Sequence, residues 1–297
     1  MNGLLTLLKP PGMTSHDVVS HVRRVTGAKV GHTGTLDPLA AGVLVLTLGG
    51  ATRLTEHLAL DGKTYRAEFV LGLETDTLDL EGQTLRETAA EHIALPDVLA
   101  AAAALTGPLD MVPPMFSAVK QDGRKLYELA RQGKEVAREA RRVTISRFEV
   151  LSFTPGARPR CLCEIGCSKG VYIRSLAQML GERLGCGACL GFLLRTAQGP
   201  HALAEALTLE ELSERIADQT LQPALTPLAD ALPGVPVVAV GAEEAQRLRQ
   251  GRAVPWDAAP RDAELAMVTC GDEAICLAEV AQDGQRTCLK PRRVFAA

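Results

Sequence analysis

Aromatic residues are scarce, with six Phe, three Tyr and one Trp among 297 residues. No apolar run approaches the ~20 residues that a membrane-crossing helix needs, which excludes a helical membrane protein. Leu4 to Leu8 is apolar but short, without a basic lead-in or a small-residue cleavage site, so it does not read as a secretion signal. With no targeting segment, the cytoplasm is the expected compartment. A glycine-rich phosphate loop and a dinucleotide fingerprint are both lacking, so no nucleotide or nicotinamide cofactor is expected. Nor is there an overall basic excess. The net charge is −3.

Metal and hydrolytic chemistry also lack their residues. Among eight cysteines, Cys186 and Cys189 have zinc-like spacing, but no second such pair exists and no His lies within ligand spacing. Cys161, Cys163 and Cys167 share parity on an expected strand. Cys270, Cys276 and Cys288 lie in apolar surroundings, where Cys acts as a small hydrophobe. A reduced protein without a metal is expected. Ser15, His16 and Asp17 are adjacent, which a catalytic triad is not, and no nucleophile elbow is present. Glu74 to Gly82 is acidic but lacks the alternation of a calcium loop, and reads as a solvated turn.

What is present centres on the loop Gly31-His32-Thr33-Gly34-Thr35-Leu36-Asp37-Pro38-Leu39-Ala40-Ala41-Gly42. It runs into Val43 to Leu48, an uncharged stretch expected to form a strand buried on both faces. Pro38 pushes Asp37 toward extended dihedrals, and the glycines permit turns and close approach by a ligand. A carboxylate on a loop held by a rigid strand is a common functional layout.

Elsewhere, residues 3 to 8 read as a strand, and Thr14, Ser15 or Asp17 as the cap of a helix carrying Val18, Val19 and Val22. Ala51 to Leu60 and Ala89 to Leu105 look helical. Lys63 to Leu71 has period two, with Tyr65, Ala67, Phe69 and Leu71 on one face. Residues 111–183 hold 14 Lys and Arg against seven Asp and Glu. The tail adds Arg286, Lys290, Arg292 and Arg293. Phosphate contacts need local rather than global positive charge, so two such patches suit an RNA partner. Val171 to Arg174 reads as extended, with Tyr172 and Arg174 on one face. Ser175 is expected to cap a helix from Leu176 to Leu184 that Gly185 ends. Pro227, Pro233 and Pro236 mark a linker, followed by a short helix and strand-like runs.

The stretches Lys9-Pro-Pro-Gly-Met-Thr-Ser-His-Asp17, GHTGTLDPLAAGVL, Lys63-Thr-Tyr-Arg-Ala67 and Ser168-Lys-Gly-Val-Tyr-Ile-Arg-Ser175 resemble the bacterial TruB family, over nearly the whole chain. These are tRNA pseudouridine-55 synthases. The resemblance implies an α+β pseudouridine synthase fold with a large mixed, mainly antiparallel sheet at residues 1–230. It also implies a basic RNA-binding insertion at about 112–142 and a PUA-like small β-barrel at 231–297.

For the site, the resemblance implies Asp37 as the nucleophile and Arg174 as its partner. Burial penalises a charged carboxylate, and an adjacent guanidinium offsets that. Tyr65 is implied to stack on the target base and to take part in proton transfer, with Tyr172 beneath the base or sugar. His32 is implied to displace the base from its stack, and Asp79 to orient neighbours. Leu193 forms a pocket wall. Lys9, Arg124 and Lys125 are expected to contact RNA. Two of the three tyrosines thus fall at family positions. Leu194 replaces an Arg that the family has, which puts one minor RNA contact in doubt, and Cys189 stands where the family often has an aromatic or His.

The expected reaction is cofactor-free isomerisation of uridine in the T-loop of tRNA by base flipping, in a monomer with no obligate protein partner. Two alternatives remain: a guide-RNA-dependent subunit, and a tRNA-folding chaperone for which Asp37 is dispensable.

Overall fold

A computed structural model describes residues 1–297 except 59–61, 118, 122, 131, 135, 257–262, 284–285 and 296–297. Among the described residues the larger sheet has nine strands. Its main path runs Gly3–Lys9, Ala41–Leu48, Ala188–Gln198, Lys63–Leu71, Arg160–Cys167, Arg141–Thr154 and Gly107–Met111. Pairing is antiparallel except where Ala188–Gln198 meets Ala41–Leu48 in parallel. No helix among the described residues is long and apolar enough to cross a membrane.

The strand Ala41–Leu48 is buried on both faces because two different cores use its alternate side chains. Leu44, Leu46 and Leu48 pack with Val18, Val19 and Val22 of the helix Ser15–Thr26. Thr14 caps that helix through a reciprocal box with Asp17. Val43 and Val45 point the other way, onto Met267, Leu277 and Phe295. Tyr65, Ala67, Phe69 and Leu71 alternate into a third core, beneath the helices Leu95–Ala104 and Ile173–Leu184.

The second sheet orders Val237–Ala239, Leu265–Cys270, Glu273–Asp283, Arg286–Val294 and Val254–Pro255, with the helix Ala242–Arg249 beside it. It is a PUA-like curled half-barrel whose short end strands leave it open. The proline-marked stretch before it is no free tether. Thr226 exchanges backbone hydrogen bonds with Leu4, and Leu228, Ala231 and Leu232 are buried between the two sheets.

Four local expectations change. Gly49–Leu54 is a 3-10 helix in place of an α-helix from Ala51. The Thr52 hydroxyl donates to the Gly49 carbonyl, and the remainder is turn up to Leu58, with Ala59 and Leu60 outside the described residues. The Ala-rich helix begins at Leu95 instead of Ala89, with Pro96 in its first turn. The acidic turn at 74–82 is solvated at Asp76 and Glu81 but not throughout: Leu80 donates to Leu190 and Leu190 to Leu78, and Thr75 and Asp79 are buried. Finally, Tyr172 is itself the N-cap position of the helix Ile173–Leu184, so Arg174 lies in a first helical turn and not on a strand. Ser175 is free of capping duty and donates to the Val112 carbonyl.

Much of the backbone around Asp37 is anchored. Thr33 N–H donates to the Val45 carbonyl. The wholly buried Arg195 donates to the carbonyls of Val43 at 2.7 Å, Gly34 at 3.0 Å and Thr35 at 3.5 Å. The Ser15 hydroxyl clamps Leu36, accepting from its N–H at 2.8 Å and donating to its carbonyl at 3.1 Å. The buried Lys9 ammonium donates to Pro10, Met13 and Pro38 carbonyls, and Gly12 N–H donates to Pro38 as well. Gly42, at φ +117°, lets the strand touch the Arg195 backbone, because a Cβ there would stand 2.2 Å from the Arg195 oxygen.

Gly42→Ala therefore combines a left-handed backbone with a clash against main chain that cannot turn aside. It is expected to lose at least ~3 kcal/mol of stability in urea unfolding, and a loss below ~1 kcal/mol would contradict the close approach. Lys9 supplies a second expectation. Burial pushes its ammonium down to about 8, Asp37 pulls it up, and Arg195 adds to the depression. The unfolded chain then holds the extra proton between about pH 8 and 10.5, so the Lys9 contribution to stability grows with pH across that window. The unfolding free energy of wild type minus that of Lys9→Met should rise from pH 8 to 10, and a flat or falling difference would count against the buried ammonium.

Candidate active site

The anchored loop leaves the Asp37 carboxylate within reach of solvent. Asp37 is 35% exposed, and its Oδ2 accepts from Arg174 Nε at 2.9 Å. The Arg174 guanidinium is only 4% exposed, and its other two nitrogens donate to the carbonyls of Thr77 at 2.9 Å and Phe116 at 2.7 Å. Its direction is therefore set by three elements, while one carboxylate oxygen of Asp37 stays available to a substrate. Asp79 approaches the same guanidinium at 3.8 Å. Its Oδ1 accepts from the Thr77 hydroxyl at 2.6 Å and Glu81 N–H at 3.1 Å, so it is held while it faces Arg174.

The two tyrosines line the adjoining core. Tyr65 is buried next to Leu36, Ala40 and Leu193 in one cluster, and Tyr172 packs against it. Burial raises the Tyr65 phenol, and the Arg195 guanidinium on the neighbouring strand opposes that rise. Burial also raises Tyr172, with Asp37 and Arg174 among its charged neighbours. His32 lies on Val30–His32, half-buried, with Nδ1 enclosed and unpartnered among the described residues. Burial, then Arg195 and His16, lower its pKa, so the ring is neutral at neutral pH.

Asp37, Arg174, Asp79, Tyr65, Tyr172 and Leu193 thus converge. Lys9 does not belong among residues that touch RNA: it is wholly buried, and three carbonyls occupy its donors beneath the loop. Arg124 is exposed on the hairpin of Lys120–Gln121 and Arg124–Lys125, away from this cluster, and the Lys125 side chain lies outside what is described. Two residues escaped the reading of the sequence. Arg195 had a signal, a lone cation within the apolar run from Cys189 to Leu194. Ser15 had none beyond its place in the Lys9–Asp17 motif, since a hydroxyl at a helix start reads first as a cap. No group of His, Cys, Asp and Glu suited to a metal ion occurs among the described residues.

Three family models match the chain. TruB family pseudouridylate synthase (N-terminal domain) covers 22–173, tRNA pseudouridylate synthase B C-terminal domain covers 174–233, and pseudouridine synthase II TruB, C-terminal, covers 236–295. The tRNA pseudouridine synthase B of Moorella thermoacetica is 44% identical over 302 aligned positions, 99% of each chain. That of Symbiobacterium thermophilum is 51% identical over 252, covering 84% of this chain and 82% of the relative. Among solved structures, a chain in a Cbf5-Nop10-Gar1 complex superposes with a TM-score of 0.72 at 26% identity, over 99% of this chain and 85% of that one. By these matches the chain belongs to the TruB family of pseudouridylate synthases.

Proposed function

We propose that the protein isomerises uridine to pseudouridine at position 55 in the T-loop of tRNA, with Asp37 as nucleophile. The observation that carries this is the Asp37–Arg174 pair, 2.9 Å long, on a loop held by Ser15, Lys9 and Arg195. A nucleophile so held needs no reorganisation when a substrate arrives. Isomerisation breaks the N1–C1′ bond, rotates the base and joins C5 to C1′. The hydrogen on C5 leaves as a proton and N1 regains one, so no redox partner or transferred group is involved.

Asp37 supplies the attacking carboxylate, at the sugar carbon or at C6 of the base, and both routes end with loss of the C5 proton. Arg174 holds and aims the carboxylate through a charge-assisted hydrogen bond. Tyr65 lies where it can back the base; burial raises its phenol above the ordinary value, and the Arg195 guanidinium beside it opposes that rise only in part. The neutral ring of His32 suits intrusion into a base stack vacated by the flipped nucleotide. The basic insertion and the C-terminal Arg residues supply attraction to the backbone. The chain is proposed to act as a cytoplasmic monomer on tRNA without a guide. Relatives named tRNA pseudouridine synthase B at 43–51% identity, against 26% for the chain of the Cbf5-Nop10-Gar1 complex, support that choice.

The test uses unmodified tRNA labelled with tritium at uracil C5 and the purified chain alone. Wild type should release tritium, while Asp37→Asn should bind tRNA equally and release none. Binding without release by either protein would sink the guide-free enzyme, and full function in Asp37→Asn would leave the chaperone. Arg174→Lys keeps the charge but not the three-way fork. It should lower the single-turnover rate by roughly a hundredfold or more with little change in tRNA affinity, and a loss confined to affinity would refute a role in aiming Asp37.

A further inference from the structure

Three cations stand behind the loop 31–42, and they differ in one respect. Lys9 and Arg195 each donate to three carbonyl oxygens. Lys63 donates to none among the described residues, and no carboxylate pairs with it there. It is not a solvated surface lysine either. Its side chain is half-buried, burial lowers its pKa, and Arg195 adds to that while Cys167 opposes it.

Position sharpens the contrast. Lys63 shares strand parity with Tyr65, so both lie on the face that carries the site. It pairs with Cys167 on one side and Gln198 on the other. Burial pushes the Cys167 thiol up to about 12, so it offers no counter-charge. Lys63 Nζ stands 3.5 Å from where a Cβ on Gly34 would lie, and the Gln198 amide stands 3.3 Å from the same point. The missing side chain at Gly34 therefore leaves this ammonium facing bare loop, three residues before Asp37. A desolvated cation without a partner is an unfavourable thing to keep in a fold. RNA brings an anion at every nucleotide.

We propose that the Lys63 ammonium binds a backbone phosphate next to the flipped uridine, seating the strand against the loop at Gly34. This rests on the reading of the chain as a tRNA uridine isomerase and deepens it by naming the contact. Exposed cations on the insertion and the C-terminal tail attract the backbone diffusely. Lys63 would hold one phosphate beside the target, so its loss should affect binding at a single linkage.

The experiment compares wild type, Lys63→Gln and Lys63→Arg as full chains, on a T-arm stem-loop RNA and on versions with single neutral methylphosphonate linkages through the loop. Lys63→Gln should bind the unmodified RNA roughly tenfold more weakly and lower the slope of log Kd against log salt by about 0.7 to 1. Lys63→Arg should retain most of the affinity. One neutral linkage should weaken wild type yet leave Lys63→Gln unaffected, the non-additivity expected of directly coupled groups.

An unchanged salt slope, or linkages that weaken both proteins alike, would overturn the proposal. So would equal loss in Lys63→Gln and Lys63→Arg accompanied by a lowered Tm, which would mark a purely structural lysine. Tritium release by wild type is followed in parallel. Its absence would strike the uridine isomerase reading itself, whereas normal release with an indifferent Lys63→Gln would strike this contact alone.

Discussion

The whole site depends on buried cations holding carbonyl oxygens of one loop. Loops usually run over the surface because their backbone groups need water. Here Arg195 and Lys9 take the place of water from within, and Ser15 fills the gap between them. The chain around Asp37 is therefore as constrained as a strand, although it has no strand geometry. Two consequences follow for the sequence. The Lys9–Asp17 and Gly31–Gly42 motifs belong together because one ties down the other, and the Arg at position 195 belongs with them from the neighbouring strand.

The same economy appears at Arg174. Its guanidinium joins Asp37 to the Thr77 turn and to Phe116 at the start of the basic insertion. The acidic turn is thus drawn toward the site at one point, and Asp79 becomes a buried neighbour of the Asp37–Arg174 pair. A change in the path of the chain near Phe116 would alter the aim of Arg174 directly. The insertion and the pocket are therefore joined by a hydrogen bond.

Much of this was legible from residue order. The uncharged Val43–Leu48 run, the alternation from Tyr65 to Leu71 and the helix from Ser15 each carry a periodicity that the tertiary structure respects. The start of the helix at Ile173 was not legible, because Val171 and Tyr172 favour extended backbone and Ser175 imitates a cap, while the deciding contact is Ser175 to Val112, 63 residues away. The acidic turn was legible at its exposed Asp76 and Glu81 and not at Asp79, where pairing with Leu190 draws the chain inward. Lys9 shows the limit most plainly. A lysine in a polar motif reads as a contact for an anion, and only the three-dimensional path reveals three carbonyls around it.

The C-terminal half-barrel has the look of an appendage, since it has its own sheet and follows a proline-marked stretch. Yet Val43 and Val45, on the strand that leads away from Asp37, pack on Met267, Leu277 and Phe295. Removing the appendage would strip part of the packing from that face of the strand and leave Leu4, Ala51, Leu54 and Leu228 to cover the rest. Melting of the terminal sheet and of the strand after Asp37 is then expected to be coupled. The chain is modular in its strand pairing and continuous in its hydrophobic core. Any lineage that shed the last sixty residues would have to refill the space left by Met267, Leu277 and Phe295.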